Sequence, residues 1–324
     1  MDWMDKKTWL SSREGFGEAL VELGEKHPEV VVLTADLTES TRANLFREKF
    51  PDRFFNFGVA EQNMMSAAAG MSLTGLVPFV CTYGVFASGR CWEQLRMLCH
   101  DNCHVIIEGG HAGLLVGPDG ASHQATEDLA ITRVIPNLTV ICPCDSIEAK
   151  KATLAAYERK GPVYLRLGRE PIPVITDVKT KFKIGECNFI EHITWMQDVT
   201  IVATGSSVFQ AILAQRKLTN EHIYTTILNC HTIKPLGVNI LTQVRQSNTI
   251  VTVEEHQVYG GLGSAVAETL SQNYPVPIEM VGIKDQFGQS GQPMELIEHY
   301  NLGVDAIIKA VRRVLERKKN ENCK

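Results

Sequence analysis

Short apolar runs rich in β-branched residues alternate along the chain with stretches whose apolar positions recur at helical spacing. That alternation is the pattern of a parallel sheet covered by helices, an α/β fold. In the first half the predicted strands are VVVLTA (30–35), LVPFVC (76–81), HVIIEG (104–109), LTVICP (138–143) and PVYLRL (162–167). Between them the spacing predicts helices over 13–27, 60–75, a stretch ending near Leu98, and 146–160. Pro143 closes one strand, and Asp145 is placed to cap the helix that follows.

Residues 168–197 break this rhythm with Pro171, Pro173, a lysine-rich stretch and mixed polar residues. A second α/β unit follows. Its predicted strands are VTIVATG (199–205), IYTTILN (223–229), NTIVTVEE (248–255) and VPIEMVGI (276–283). Its predicted helices cover 206–218, a stretch from about 236, 261–273, and a last one from about 303. The expected division is a domain over 1–170, a linker over 171–197, and a second domain over 198–324. The tail RRVLERKKNENCK is charged enough to be expected to fray.

Composition narrows the classes. A chain of 324 residues with 44% apolar and 21% charged positions has material for two cores. A net charge of −5 gives no reason to expect nucleic acid or an anionic membrane as partner. The N-terminal MDWMDKKTWLSS lacks the apolar centre of a signal peptide, and no run approaches a membrane span. Several of the nine cysteines, such as Cys81, Cys142 and Cys230, lie within apolar stretches as buried small hydrophobes do. Cys99 and Cys103 precede His104, but no second ligand pair stands at zinc spacing. The expectation is a reduced, cytoplasmic protein.

The unusual stretches of the first half fall where predicted strands end, the place where open α/β sheets gather functional groups. Glu61 opens an otherwise small and apolar helix. An acid there is favoured by the helix dipole alone, and one kept from water can also share a proton with a ring nitrogen. Tyr83 and Phe86, with Arg90 four residues on, lie amid Gly84, Ser88 and Gly89 and suit a wall for a flat heterocycle. The glycine-rich loop 109–128 carries His111, Asp119 and His123, a set suited to binding sugar hydroxyls and moving protons. Arg13, Ser40 and Arg169 come from separate element ends and, with His111, would form a cationic cup for phosphate. GGLGSA (260–265) follows a strand, but Val266 stands where a dinucleotide fingerprint needs its third glycine, so helix packing explains it better.

Taken together, GVAEQN around Glu61, TYGVFASGR, HAGLLVGPDGASHQ, IPNLTVICPCD and LRLGREP resemble the transketolase family in order and spacing. The resemblance implies a thiamine-diphosphate-binding fold, the pyrimidine-binding domain, followed by a smaller α/β transketolase C-terminal domain. It implies that Glu61 hydrogen-bonds the aminopyrimidine ring nitrogen of thiamine diphosphate and that Tyr83 and Phe86 pack on that ring. Asp119 and His123 match residues contacting the C2 and C1 oxygens of the ketose. His111, Arg13, Ser40 and Arg169 match the phosphate end of the channel, and Asp36 an acid near the cofactor at a subunit boundary. A third aromatic position of many transketolases is here Ser88 or Gly89.

The family's diphosphate and Mg²⁺ site is a GDG with an Asn about 25–30 residues later, and no GDG occurs in this sequence. The Mg²⁺ or Ca²⁺ ligands are therefore expected in a partner, an N-terminal, diphosphate-binding transketolase subunit. Assembly is expected as an α₂β₂ heterotetramer that shares the cofactor between unlike chains and acts on sugar phosphates. A 1-deoxyxylulose-5-phosphate synthase, with Arg where His111 stands, and a 2-oxoacid dehydrogenase E1 β subunit, without the DGxxH of 119–123, are the disfavoured relatives. A sulfonated or branched sugar as substrate, and a non-catalytic scaffold, complete the alternatives.

Overall fold

The computed structural model describes residues 8–191 and 197–322. The strands are, in chain order, β1 (Trp9–Leu10), β2 (Val30–Thr34), β3 (Phe54–Asn56), β4 (Val77–Tyr83), β5 (Ile106–Gly110), β6 (Thr139–Ile141) and β7 (Val163–Arg166). There follow β8 (Ile172–Pro173), β9 (Asn188–Glu191), β10 (Val199–Ala203), β11 (Thr225–Asn229), β12 (Thr232–Lys234), β13 (Ile250–Gln257) and β14 (Ile278–Ile283). The helices are α1 (Ser12–Lys26), α2 (Asn44–Lys49), α3 (Glu61–Leu73), α4 (Trp92–His100), α5 (Asp128–Arg133) and α6 (Ser146–Glu158). The second half supplies α7 (Ser207–Asn220), α8 (Asn239–Ser247), α9 (Leu262–Asn273), α10 (Pro293–His299) and α11 (Val304–Asn322).

The first sheet has the order β12-β6-β7-β5-β4-β2-β3, parallel except for β12. Its central strands are buried on both faces, as continuous apolar runs such as VVVLT require. On one face Phe16, Leu20 and Leu23 of α1 pack with Ala149, Ala152 and Ala156 of α6. On the other, Met64, Met65 and Ala68 of α3 meet Leu95 and Leu98 of α4. Each such methionine stabilises the fold by roughly 1.5–3 kcal/mol through burial. That packing holds the first residue of α3, Glu61, at the carboxyl edge of the sheet. Asp145 caps α6 by accepting from the Glu148 N–H at 2.8 Å.

The second sheet has the order β14-β13-β10-β11-β9, with β9 antiparallel. The two halves share one core, since Leu228, Cys230, Leu262 and Val266 join the cluster that holds Met64 and Leu95. Strand β12, from the second half, is added to the edge of the first sheet beside β6. Within the stretch expected to be a mere linker, β8 pairs with β1 and β9 pairs with β11.

The tail differs from its expected fraying. Helix α11 runs to Asn322 because Ile307, Val311 and Val314 form a buried stripe, while Arg313 and Arg317 pair with Glu279. Residues 1–7, most of the N-terminal stretch that lacks the apolar centre of a signal peptide, and the last two residues of the tail lie outside the described residues.

Candidate active site

Strand β4 ends at Tyr83 and leads into a turn of π-helix, Phe86–Arg90, a rare form of backbone that recurs at functional sites. The Tyr83 and Phe86 rings lie 15° from parallel with centroids 5.9 Å apart. His111 stacks on Tyr83 at 3.9 Å. His123 meets Tyr83 and Phe86 edge-on at 5.9 and 5.5 Å. Two segments, the turn after β4 and the loop after β5, thus build one wall of four rings.

Glu61 is 2% exposed. Its Oε1 accepts from Arg90 Nη1 at 2.7 Å, and the Arg90 guanidinium carbon lies 4.2 Å from the centre of the Phe86 ring. A carboxylate so buried would be costly unpaired, so the pairing is what makes it tolerable. The place between an acid acceptor and an aromatic face therefore already holds a flat, N–H-bearing cation. That donor and acceptor set fits an aminopyrimidine.

The loop after β5 is held at both ends of its first turn. Ala112 N–H donates to Leu167 O at 3.1 Å and Gly113 N–H to Ala125 O at 2.9 Å. His111, just before these anchors, has φ +51°, a left-handed conformation costing a non-glycine residue about 1–2 kcal/mol. Its ring is buried and its Nδ1 has no hydrogen-bond partner. Burial first, then the nearby Arg13, Arg169 and His123, push its pKa down to about 3. His111 is therefore a neutral imidazole near pH 7, so it brings hydrogen bonding, not charge, to the expected cationic cup.

The charge of that cup rests on two arginines. Arg13 Nη1 donates to the backbone oxygen of Ser40 at 2.7 Å, so Ser40 contributes its carbonyl to this contact. Arg169 Nη1 donates to Val116 O at 2.8 Å and to Asp119 Oδ1 at 3.1 Å. Nearby lies an acid that sequence reading passed over. Glu108 is 1% exposed, both its carboxyl oxygens lack partners, and burial raises its pKa well above the usual range against the pull of Arg13. Asp36 stands apart, at φ +62°, exchanging hydrogen bonds with Asn56 at 3.1 and 3.4 Å. Among the described residues, no hydrogen bond or ion pair joins it to Glu61 or to the ring wall.

Two further contributors escaped sequence reading. The sequence places Arg90 only four residues beyond Phe86, with nothing to pair it with Glu61. Glu255, near the carboxyl end of an apolar strand of the second half, carries the same positional signal as the first-half candidates. Its Oε1 accepts from Leu115 N–H at 2.5 Å and its Oε2 from Ser206 Oγ at 2.5 Å. Among the described residues no group of three or more His, Cys, Asp and Glu is placed to hold a metal ion. Nor is any described helix long and apolar enough to cross a membrane.

Fold and site together define a two-domain α/β subunit with an aromatic, acid-bearing site at the carboxyl edge of its first sheet. Residues 9–174 match the transketolase pyrimidine-binding domain, and residues 190–307 match the transketolase C-terminal domain. The chain belongs to the transketolase family, whose domains imply dependence on thiamine diphosphate. It is 42% identical over 313 residues to a putative transketolase C-terminal section of Methanocaldococcus jannaschii, covering 95% of this chain and 96% of that one. It is 36% identical over 312 residues to a 6-deoxy-6-sulfo-D-fructose transketolase subunit of a Clostridium species, covering 96% and 95%. A solved split-gene transketolase, described as an inactive β₄ tetramer, matches with a TM-score of 0.88 and 43% identity over 95% of this chain and 99% of that one.

Proposed function

We propose that this chain is the C-terminal subunit of a two-subunit transketolase that moves a two-carbon ketol unit from a ketose phosphate to an aldose acceptor. One observation carries the reading: Glu61, 2% exposed at the start of α3, bonds at 2.7 Å to a flat cation lying over Phe86. When bound, thiamine diphosphate would supply a thiazolium carbon able to hold the two-carbon unit in transit. Glu61 holds the pyrimidine ring nitrogen and shares a proton with it, while Tyr83 and Phe86 pack against the ring. His123 and Asp119 bind the ketose oxygens near the reacting carbon. His111, neutral, donates or accepts a hydrogen bond along the channel. Arg13 and Arg169 bind the anionic end of the sugar, and Ser40 positions Arg13 through its carbonyl. Asp36 serves at the boundary with the neighbouring chain.

The chain lacks a GDG, so the diphosphate and its Mg²⁺ or Ca²⁺ are held by a partner subunit in an α₂β₂ assembly. Exposed Phe55 and Val59, 37% and 72% accessible and a few residues before Glu61, suit a face that another chain covers. The division into a pyrimidine-binding domain to residue 170 and a C-terminal domain from 198 is supported by the two sheets, although β12 of the second half joins the first sheet and β9 reaches from the connecting segment into the second. The buried, unpaired thiols of eight cysteines suit a reducing cytoplasm. A sulfonated sugar is the second reading, supported by the Clostridium relative.

The test is co-purification with a chain carrying the diphosphate pattern, then assay of glycolaldehyde transfer from ketose phosphates and from a sulfonated ketose. Activity is expected only in the mixture, and Glu61→Gln is expected to lower it on the order of 10²-fold or more. Full activity in Glu61→Gln, or no transfer from any ketose by the mixture, refutes the proposal.

A further inference from the structure

We propose that Arg90 stands in for the aminopyrimidine, so that the cofactor enters its site by displacing a side chain of this subunit. The inference rests on the cofactor reading above. Arg90 makes the two contacts which that reading asks of the pyrimidine. It donates from Nη1 to Glu61 Oε1 at 2.7 Å, and it lies 4.2 Å over the Phe86 ring. A guanidinium and a protonated aminopyrimidine share the features that matter here: a flat π system, a delocalised positive charge and N–H groups in the plane. A ring stacked on Phe86 and bonded to Glu61 needs the space that the guanidinium fills.

The backbone places Arg90 for this role. It is the last residue of the π-helical turn Phe86–Arg90, whose wide coil closes with Cys91 N–H donating to Phe86 O at 3.4 Å. The same wide turn brings the guanidinium back over the ring four residues earlier. Gln62 Nε2, the neighbour of Glu61, donates to Arg90 O at 3.2 Å and ties the turn to the start of α3. Departure is nevertheless open to the side chain, because it is 46% exposed against 2% for its partner. A cation with one end in water can swing away without the fold rearranging.

Two consequences follow. In the subunit without cofactor, Arg90 satisfies a buried carboxyl group that would otherwise be left dry and unpaired, and holds it beside the Phe86 ring. Arg90 is thus a positioning residue for Glu61. During loading the same contact is a competitor, and the apparent cofactor affinity is the intrinsic affinity multiplied by the fraction of molecules in which Arg90 has vacated the site.

The test is calorimetric titration of thiamine diphosphate with Mg²⁺ into the complex of this chain with its diphosphate-binding partner. Arg90→Met removes the charge and keeps an apolar stem. It is expected to bind the cofactor about tenfold more tightly than the wild type, the gain for a site blocked about nine-tenths of the time. Arg90→Lys keeps the charge without the flat fork and is expected to fall between. In a Glu61→Gln background the gain from Arg90→Met should largely vanish, because the contact it relieves is gone. Wild type that binds while Arg90→Met binds equally or more weakly overturns the inference and leaves the cofactor reading standing. No binding by any form overturns both.

Discussion

Glu255, at the end of β13 in the second sheet, accepts a 2.5 Å hydrogen bond from the backbone N–H of Leu115, at the head of the loop that carries Asp119 and His123. The contact is built for closeness. Gly113 has φ +83°, and a Cβ there would lie 2.4 Å from Glu255 Oε1, so only glycine lets the loop descend onto the acid. Ser206 donates to the other carboxylate oxygen, and the Glu255 carbonyl accepts from Arg166 at 2.9 Å. The second domain therefore helps to shape the loop that carries Asp119 and His123.

Replacing Glu255 by Ala should leave the buried Leu115 N–H without an acceptor, at a cost of about 1–3 kcal/mol. The larger effect should be on turnover with the partner present, because Asp119 and His123 lose their fixed register. A fall in kcat/KM on the order of tenfold or more is expected. Glu255→Gln keeps an oxygen for Leu115 N–H and should restore most of the activity. Equal loss in both variants would mean that the charge matters and not the hydrogen bond. Unchanged kinetics in Glu255→Ala would remove the positioning role altogether.

Beneath that loop lies a buried ion pair. Arg166 Nε donates to Asp128 at 2.9 Å, Arg166 Nη2 donates to Ala125 O at 3.1 Å, and Tyr164 OH donates to Asp128 at 2.9 Å. Asp128 is fully buried, so Arg166→Met would strand a charge with a single phenol as partner. Removing one member of such a pair costs about 3–5 kcal/mol. Urea unfolding should show a loss of that size in Arg166→Met, and a much smaller one in Arg166→Met with Asp128→Asn. If the single variant unfolds at wild-type urea concentrations, the pair does not stabilise the fold.

Local signals were legible in the sequence, and pairings between distant residues were not. VVVLTA and LVPFVC read as strands because burial on both faces demands unbroken apolar stretches. Asp145 read as a cap because its three-residue reach to Glu148 is local. Strand β12 is three residues long and exists only through its pairing with β6, some ninety residues away in sequence, so no periodicity could announce it. Strand β9 was hidden in the same way, inside a polar connecting stretch. At the candidate site, Glu61, His111 and His123 drew attention as polar residues in apolar or glycine-rich company. Arg90 lies 29 positions from Glu61, and nothing in its neighbourhood tells an exposed arginine from one turned inward over a ring. Glu255 could have been found, since it ends an apolar strand as the other candidates do.

His111 sets a pH dependence whose sign is fixed by burial. In the folded chain its pKa is pushed down to about 3, against an ordinary value of 6.5. Between those values the unfolded chain binds the proton and the folded chain does not. The stability tied to this group is therefore whole above about pH 6.5 and is lost progressively as pH falls toward 3, at up to about 1.4 kcal/mol per pH unit. His231 and His256, both pushed down to about 4 by burial, add slopes of the same sign. Glu148 and Glu254, raised to about 7 by burial, act oppositely: their contribution is present below 4.5 and is lost as pH rises through 7. Because these other groups act in both forms, the difference between wild type and His111→Asn isolates one residue. Urea unfolding at pH 7, 6 and 5 should show wild type losing more stability per unit than His111→Asn, by as much as about 1.4 kcal/mol. Parallel curves would mean that water or a neighbouring group reaches the unpartnered Nδ1, and that the imidazole can take up its proton in place.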